Sequence, residues 1–166
     1  MITCTRRLTF EAGHRVFLHE SKCRNLHGHS YKVEIRARGH LDDLGRVIDF
    51  AVLKQLIGGW IDEHLDHGFI VWNEDREAIA ALQMLPGQKI YRMPYNPTAE
   101  NIARHLKNDI CPAMLHGTGV VVDRITVQET ENCFAEDDAT PIMVEMDAEA
   151  AAKWKELSRF AVEATV

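Results

Sequence analysis

The run HGHSYKVEIRAR, residues 27–38, restricts this chain more than any other stretch. From His29 onward, Tyr31, Val33, Ile35 and Ala37 alternate with Lys32, Glu34, Arg36 and Arg38. A strand turns successive side chains to opposite faces, so this period-two pattern predicts a strand with one buried and one solvated side. His27 and His29 share the parity of Tyr31. If the strand begins by position 27, both imidazoles leave the same face, about 6.5–7 Å apart along the backbone. That spacing lets two rings converge on one ion at Zn–N distances of about 2.0–2.1 Å.

A third donor is needed, and His14 in FEAGHR is the best placed. It ends a first predicted strand, Thr3 to His14, marked by Leu8, Phe10 and Ala12 at period two. Three neutral histidines with an open fourth position describe a catalytic zinc site, whereas structural sites close with four ligands. Cys23, four residues before His27, leaves two arrangements open. It either closes the shell as a fourth ligand or stands outside it as a thiolate base. Among nine histidines an HxH pair also arises by chance.

At 166 residues the chain fits one domain, 1–166, with a core of its own. Its 46% hydrophobic and 27% charged residues are those of a soluble globular protein, and no apolar run approaches the roughly 20 residues that span a bilayer. The opening MITCTRRLTFEAGH lacks the apolar core of a signal peptide, so a cytoplasmic protein is expected. A net charge of −6 argues against a nucleic-acid partner, which needs surplus Lys and Arg. Cys4, Cys23, Cys111 and Cys133 contain no CxxC pair and read as reduced thiols.

Further along, Asp49 is a plausible N-cap for a helix carrying Phe50, Leu53, Leu56, Ile57, Trp60 and Ile61 on one side, weakened locally by Gly58 and Gly59. Residues 69–95 hold one short helical candidate, EAIAALQML. Thr98 after Pro97 caps a second helix with Ile102, Leu106 and Ile110 on one face. VVVDRITVQET predicts a strand whose Ile125, Val127 and Glu129 share a face. PIMVEM predicts a fourth strand, and residues 148–164 a terminal helix. The order predicts an α+β fold, an antiparallel sheet covered by helices.

FEAGHR, the CxxxHGHSY pattern in KCRNLHGHSY, VIDFAVLK, LDHG, NPTAENIA and VQET, in this order, resemble the 6-pyruvoyltetrahydropterin and 6-carboxytetrahydropterin synthase family. The three-residue gap between Cys23 and His27 resembles the carboxy enzymes of the queuosine and 7-deazapurine pathway. The resemblance implies the tunnelling fold, a four-stranded antiparallel sheet with helices on one face. It also implies sheets joined into a barrel in a trimer or hexamer, with active sites between subunits.

By motif match, His14, His27 and His29 become ligands of Zn²⁺ and Cys23 the catalytic base. Asp66 and His67 of LDHG match the pair that tunes that thiol from a neighbouring subunit. Glu129 matches the carboxylate that anchors the pterin ring, with Thr98 assisting. The implied reaction converts 7,8-dihydroneopterin triphosphate to 6-carboxytetrahydropterin with release of acetaldehyde and triphosphate. Two alternatives stay open: a pyruvoyl synthase that stops after triphosphate elimination, and a pterin-binding or structural metalloprotein in which Cys23 closes the zinc shell. The stretch 69–95 reads as an insertion relative to compact family members.

Overall fold

The computed structural model describes residues 2–138. Its centre is a pair of long antiparallel strands, β1 (Ile2–His14) and β2 (His27–Gly39), in register from Ile2 opposite Gly39 to His14 opposite His27. In chain order there follow α1 (50–64), β3 (Gly68–Trp72), α2 (Arg76–Gln83), β4 (Ile90–Met93), α3 (99–114), β5 (Val121–Thr130) and β6 (Cys133–Asp137). The sheet order is β4-β3-β1-β2-β5-β6. β1, β2, β5 and β6 pair antiparallel, whereas β3 lies parallel to both β1 and β4.

The alternation expected of β2 is met in full: Tyr31, Val33, Ile35 and Ala37 are completely buried. Phe10 and Ala12 of β1 and Ile125 and Val127 of β5 extend that apolar face. Against it α1 sets Leu53, Ile57 and Ile61, and α3 sets Ile102, Ala103 and Leu106. Each Leu, Ile, Val or Phe among these contributes about 1.5–3 kcal/mol when fully buried. Both helix starts are capped as expected: Asp49 accepts from the Ala51 N–H at 2.8 Å, and Thr98 from the Asn101 N–H at 3.3 Å. Gly58 and Gly59 do not end α1, because core burial outweighs a propensity cost of about 1 kcal/mol per glycine. Phe50, by contrast, is 48% exposed and lies outside the core.

The expected four strands become six, and the sheet is mixed. The stretch 69–95 supplies β3 and β4 around α2, and ENCFAEDD supplies β6. FIVW and IYRM are short apolar runs without alternation, which periodicity alone does not assign to strands. Nor do all helices share one face. Ile70 points into the main core, whereas its neighbour Val71 packs with Ala78, Ile79 and Leu82 of α2 on the opposite side. The strand expected at PIMVEM and the helix expected at 148–164 lie outside the described residues. No helix among the described residues is long and apolar enough to cross a membrane.

α2 begins at Asp75, which is 1% exposed. One oxygen accepts from the Ala78 N–H at 3.1 Å, and both take the Arg15 guanidinium. Burial pushes this carboxyl up, but Arg15 and the Ala78 N–H overcome that and hold it below the usual range. Its stabilising contribution is therefore present above the unfolded carboxyl pKa of about 4 and is lost as pH falls below it. Asp75→Ala removes the buried partner of Arg15 and the cap of α2, leaving Arg15 only Glu77 at 3.4 Å, and should cost about 3 kcal/mol, read from the urea midpoint at pH 7. The difference between variant and parent should shrink below pH 4.

Candidate metal centre

At the ends of β1 and β2 the buried face changes from apolar residues to imidazoles. His14 stands opposite His27, and His29 opposite Ala12. The parity that sends Phe10 and Tyr31 into the core sends His14, His27 and His29 to the same side. One ring nitrogen from each lies within 4.8 Å of the others. His14 donates Nδ1–H to the Pro97 carbonyl at 2.7 Å, and His27 donates Nδ1–H to the Asn25 carbonyl at 2.8 Å. These bonds fix the tautomers and leave each Nε2 as a bare acceptor.

The two Nε2 atoms then face each other at 3.1 Å. Opposed lone pairs repel unless a cation lies between them, and tetrahedral Zn–N bonds of about 2.0–2.1 Å place ligand nitrogens about 3.3–3.4 Å apart. Burial above all, with the neighbouring charges of His27 and His29, pulls His14 down to about 4 against the Pro97 carbonyl. Burial and His27 lower His29 as well. Neutral imidazoles are the ligating form, so the donor set fits a metal ion.

β5 adds a carboxylate to the same face. Lys32 pairs with Gln128, so Glu129 follows opposite Tyr31. Its Oε1 lies 3.9 Å from His14 Nε2, and its side chain is 21% exposed. Burial first and Glu100 second raise the Glu129 pKa, opposed by His27. The buried Tyr31 hydroxyl has no hydrogen-bond partner among the described residues, and its ring stands edge-on to His14 and His29 at 6.0 and 5.5 Å. Thr98 sits where expected, as the cap of α3.

Cys23 lies half-buried in a single 3₁₀ turn, Lys22–Arg24, on the loop between His14 and His27. Asp66 and His67 form a pair: His67 Nδ1 meets Asp66 Oδ2 at 2.6 Å, and Asp66 Oδ1 accepts from the Glu11 N–H at 2.8 Å. Burial raises Asp66, but the Glu11 N–H and His67 outweigh it, so the carboxyl stays below its usual range. His67 takes a left-handed φ of 55°, and its side chain is 77% exposed. It lines a cleft of about 400 Å³ together with Glu11, Ser30 and His29; the strand parity of Glu11 and Ser30 points away from the three histidines. The structure therefore gathers His14, His27, His29 and Glu129 and leaves the Asp66–His67 pair outside that group, bonded to the backbone of Glu11.

Sequence reasoning missed the Pro97 and Asn25 carbonyls that orient two of the imidazoles; a backbone oxygen has no residue signature. It also gave Gly13 no role. A Cβ there would stand 2.3 Å from the Phe69 ring, so the glycine beside His14 is what lets β3 pack onto β1.

Fold and site together define an α+β protein with a three-histidine candidate metal centre at the end of a curled sheet. The family model for 6-pyruvoyl tetrahydropterin synthase matches residues 3–139. A 6-carboxy-5,6,7,8-tetrahydropterin synthase of Rickettsia felis is 49% identical over 137 residues, covering 82% of this chain and 99% of its own. One of Haemophilus influenzae is 33% identical over 142 residues, covering 82% and 98%. Among solved structures, an uncharacterized protein of Wolinella succinogenes matches with a TM-score of 0.71 at 24% identity, covering 82% of this chain and 97% of that one. Caenorhabditis elegans 6-pyruvoyl tetrahydropterin synthase matches with a TM-score of 0.60 at 23% identity, covering 84% and 96%. The chain belongs to the 6-pyruvoyl tetrahydropterin synthase family, and its fold is the tunnelling fold.

Proposed function

We propose that this chain is a zinc-dependent lyase that converts 7,8-dihydroneopterin triphosphate to 6-carboxy-5,6,7,8-tetrahydropterin, with release of acetaldehyde and triphosphate, in queuosine biosynthesis. The observation that carries this reading is the meeting of three imidazoles and the Glu129 carboxylate on one face, with Glu129 Oε1 3.9 Å from His14 Nε2. Such a site grips a flat heterocycle at one end and directs its side chain toward the ion. The Cys23-to-His27 spacing and the names of the relatives favour the carboxy product over the pyruvoyl one.

His14, His27 and His29 hold the zinc. Bound there, zinc supplies a Lewis acid that acidifies the neighbouring C–H of the substrate side chain. Cys23 is the base that removes and returns protons at that carbon. Asp66 orients the His67 ring through the Nδ1 contact, the role of a carboxylate behind a catalytic histidine. The match of LDHG to the family motif supports a pair that serves the Cys23 of a neighbouring subunit, in a trimer or hexamer with active sites between subunits. Thr98, the cap of α3, assists Glu129 in holding the ring.

Glu129 accepts two parallel hydrogen bonds from the 2-amino and N3–H groups of the pterin. Burial and Glu100 strain its negative charge, so donors from a ligand are worth more there than at an exposed carboxylate. Glu129→Gln keeps the shape but sets an amide donor against a ring donor. The expected loss is about 2–4 kcal/mol, at least tenfold in competition binding of a pterin without triphosphate, at unchanged zinc content. Parental affinity in that assay would remove Glu129 from the ring site.

A further inference from the structure

We propose that β3, α2 and β4, with Asn96 behind them, form a brace that holds the Cys23 loop, and that Asn96 is its principal positioning residue. This rests on the reading of Cys23 as the base. Loop 15–26 leaves β1 at His14 and enters β2 at His27, so its ends are set by the candidate ligands. Its own packing is slight: Leu18 is 80% exposed with a left-handed φ of 64°, and Glu20, Ser21 and Lys22 are exposed.

What grips the loop comes from outside it. Asn96 Oδ1 accepts the Phe17 N–H at 2.8 Å, and Asn96 Nδ2 donates to the Phe17 carbonyl at 2.8 Å. One side-chain amide thus pairs both backbone groups of Phe17, as a neighbouring strand would. Arg15 is forked onto buried Asp75, its guanidinium lies 5.4 Å from the Phe17 ring, and that ring meets Trp72 of β3 at 5.9 Å. Between these two gripped residues, the Val16 N–H donates to the Cys23 carbonyl at 2.7 Å. The segment held by the brace is the one bonded to the backbone of Cys23.

The same short stretch also sets a metal ligand. The Asn96 carbonyl accepts from Asn101 Nδ2 at 2.9 Å, which fixes it to α3, and the next residue, Pro97, takes the Nδ1–H of His14. Asn96 and Pro97 therefore place the Cys23 loop and the His14 ring in one frame. A thiol on a loop with so little core of its own would otherwise sample many positions relative to the ion, and small misplacements cost large factors in rate.

The test uses the zinc-loaded full chain and its Asn96→Ala and Asn96→Asp variants. Each is measured for zinc content, kcat, KM and the rate of Cys23 alkylation by iodoacetamide, resolved by peptide mass. Asn96→Ala should keep zinc, lose at least tenfold in kcat with KM changed less than threefold, and alkylate at Cys23 at least threefold faster. Asn96→Asp keeps the acceptor for the Phe17 N–H and should fall between. A variant that melts lower yet keeps the parent's kcat and alkylation rate overturns the brace. If Asn96→Ala does not fold, hydrogen exchange of the unaltered chain decides: Val16 and Phe17 amides should exchange as slowly as those of β1, and exchange at the rate of an open loop overturns it. Turnover retained in Cys23→Ala would remove the base assignment alone, because alkylation and exchange still report on the brace.

Discussion

Alanine at His27 or His29 is expected to strip the proposed zinc from this protein. Losing a group that merely orients a ligand weakens a metal site by about 10–100-fold, so losing one of three direct donors should exceed that. The remaining two imidazoles offer no third nitrogen within 4.8 Å, since the described residues contain one such group only. Zinc measured after gel filtration should fall from one per chain to a trace in both variants, and turnover should vanish with it. The β1–β2 ladder is carried by backbone pairs and the core below, so both variants should still fold. Stoichiometric zinc in either would sink the ligand assignment.

Cys23→Ala is expected to leave zinc and fold intact while removing most turnover. A general base contributes about 10²–10⁴-fold, and that is the loss in kcat this variant should show. Cys23 is half-buried on a loop, so the change removes little core packing. The same variant decides between the two arrangements that spacing left open. If Cys23 closes a four-ligand shell, its removal should release zinc along with any activity. If it stands outside the shell, zinc content stays at the parental value.

The parts legible in the sequence are those written in side-chain periodicity. Tyr31 to Ala37 announced a half-buried strand, and the same parity carried His27 and His29 to the core face. Ile125, Val127 and Glu129 did so again on β5, which is why the carboxylate meets the imidazoles. Asp49 and Thr98 marked helix starts because their oxygens satisfy amides that the first turn leaves free. What stayed illegible has a physical reason in each case. β3 and β4 are short apolar runs whose pairing depends on partners distant in sequence, Ala12 to His14 for β3 and β3 itself for β4. The Asn96 clamp joins positions 79 apart in sequence, and the Pro97 carbonyl acts through an atom that every residue carries. Asp66 and His67 were named from LDHG, but their place against the Glu11 backbone, outside the group of three histidines, needed the three-dimensional register.

The most direct test of the account is a product assay. The zinc-loaded protein is incubated with 7,8-dihydroneopterin triphosphate, and the pterin, the two-carbon fragment and the phosphate species are identified by mass. The expected products are 6-carboxy-5,6,7,8-tetrahydropterin, acetaldehyde and triphosphate in equal amounts. A pyruvoyl tetrahydropterin with triphosphate and no acetaldehyde, or unchanged substrate in the presence of stoichiometric zinc, would contradict it.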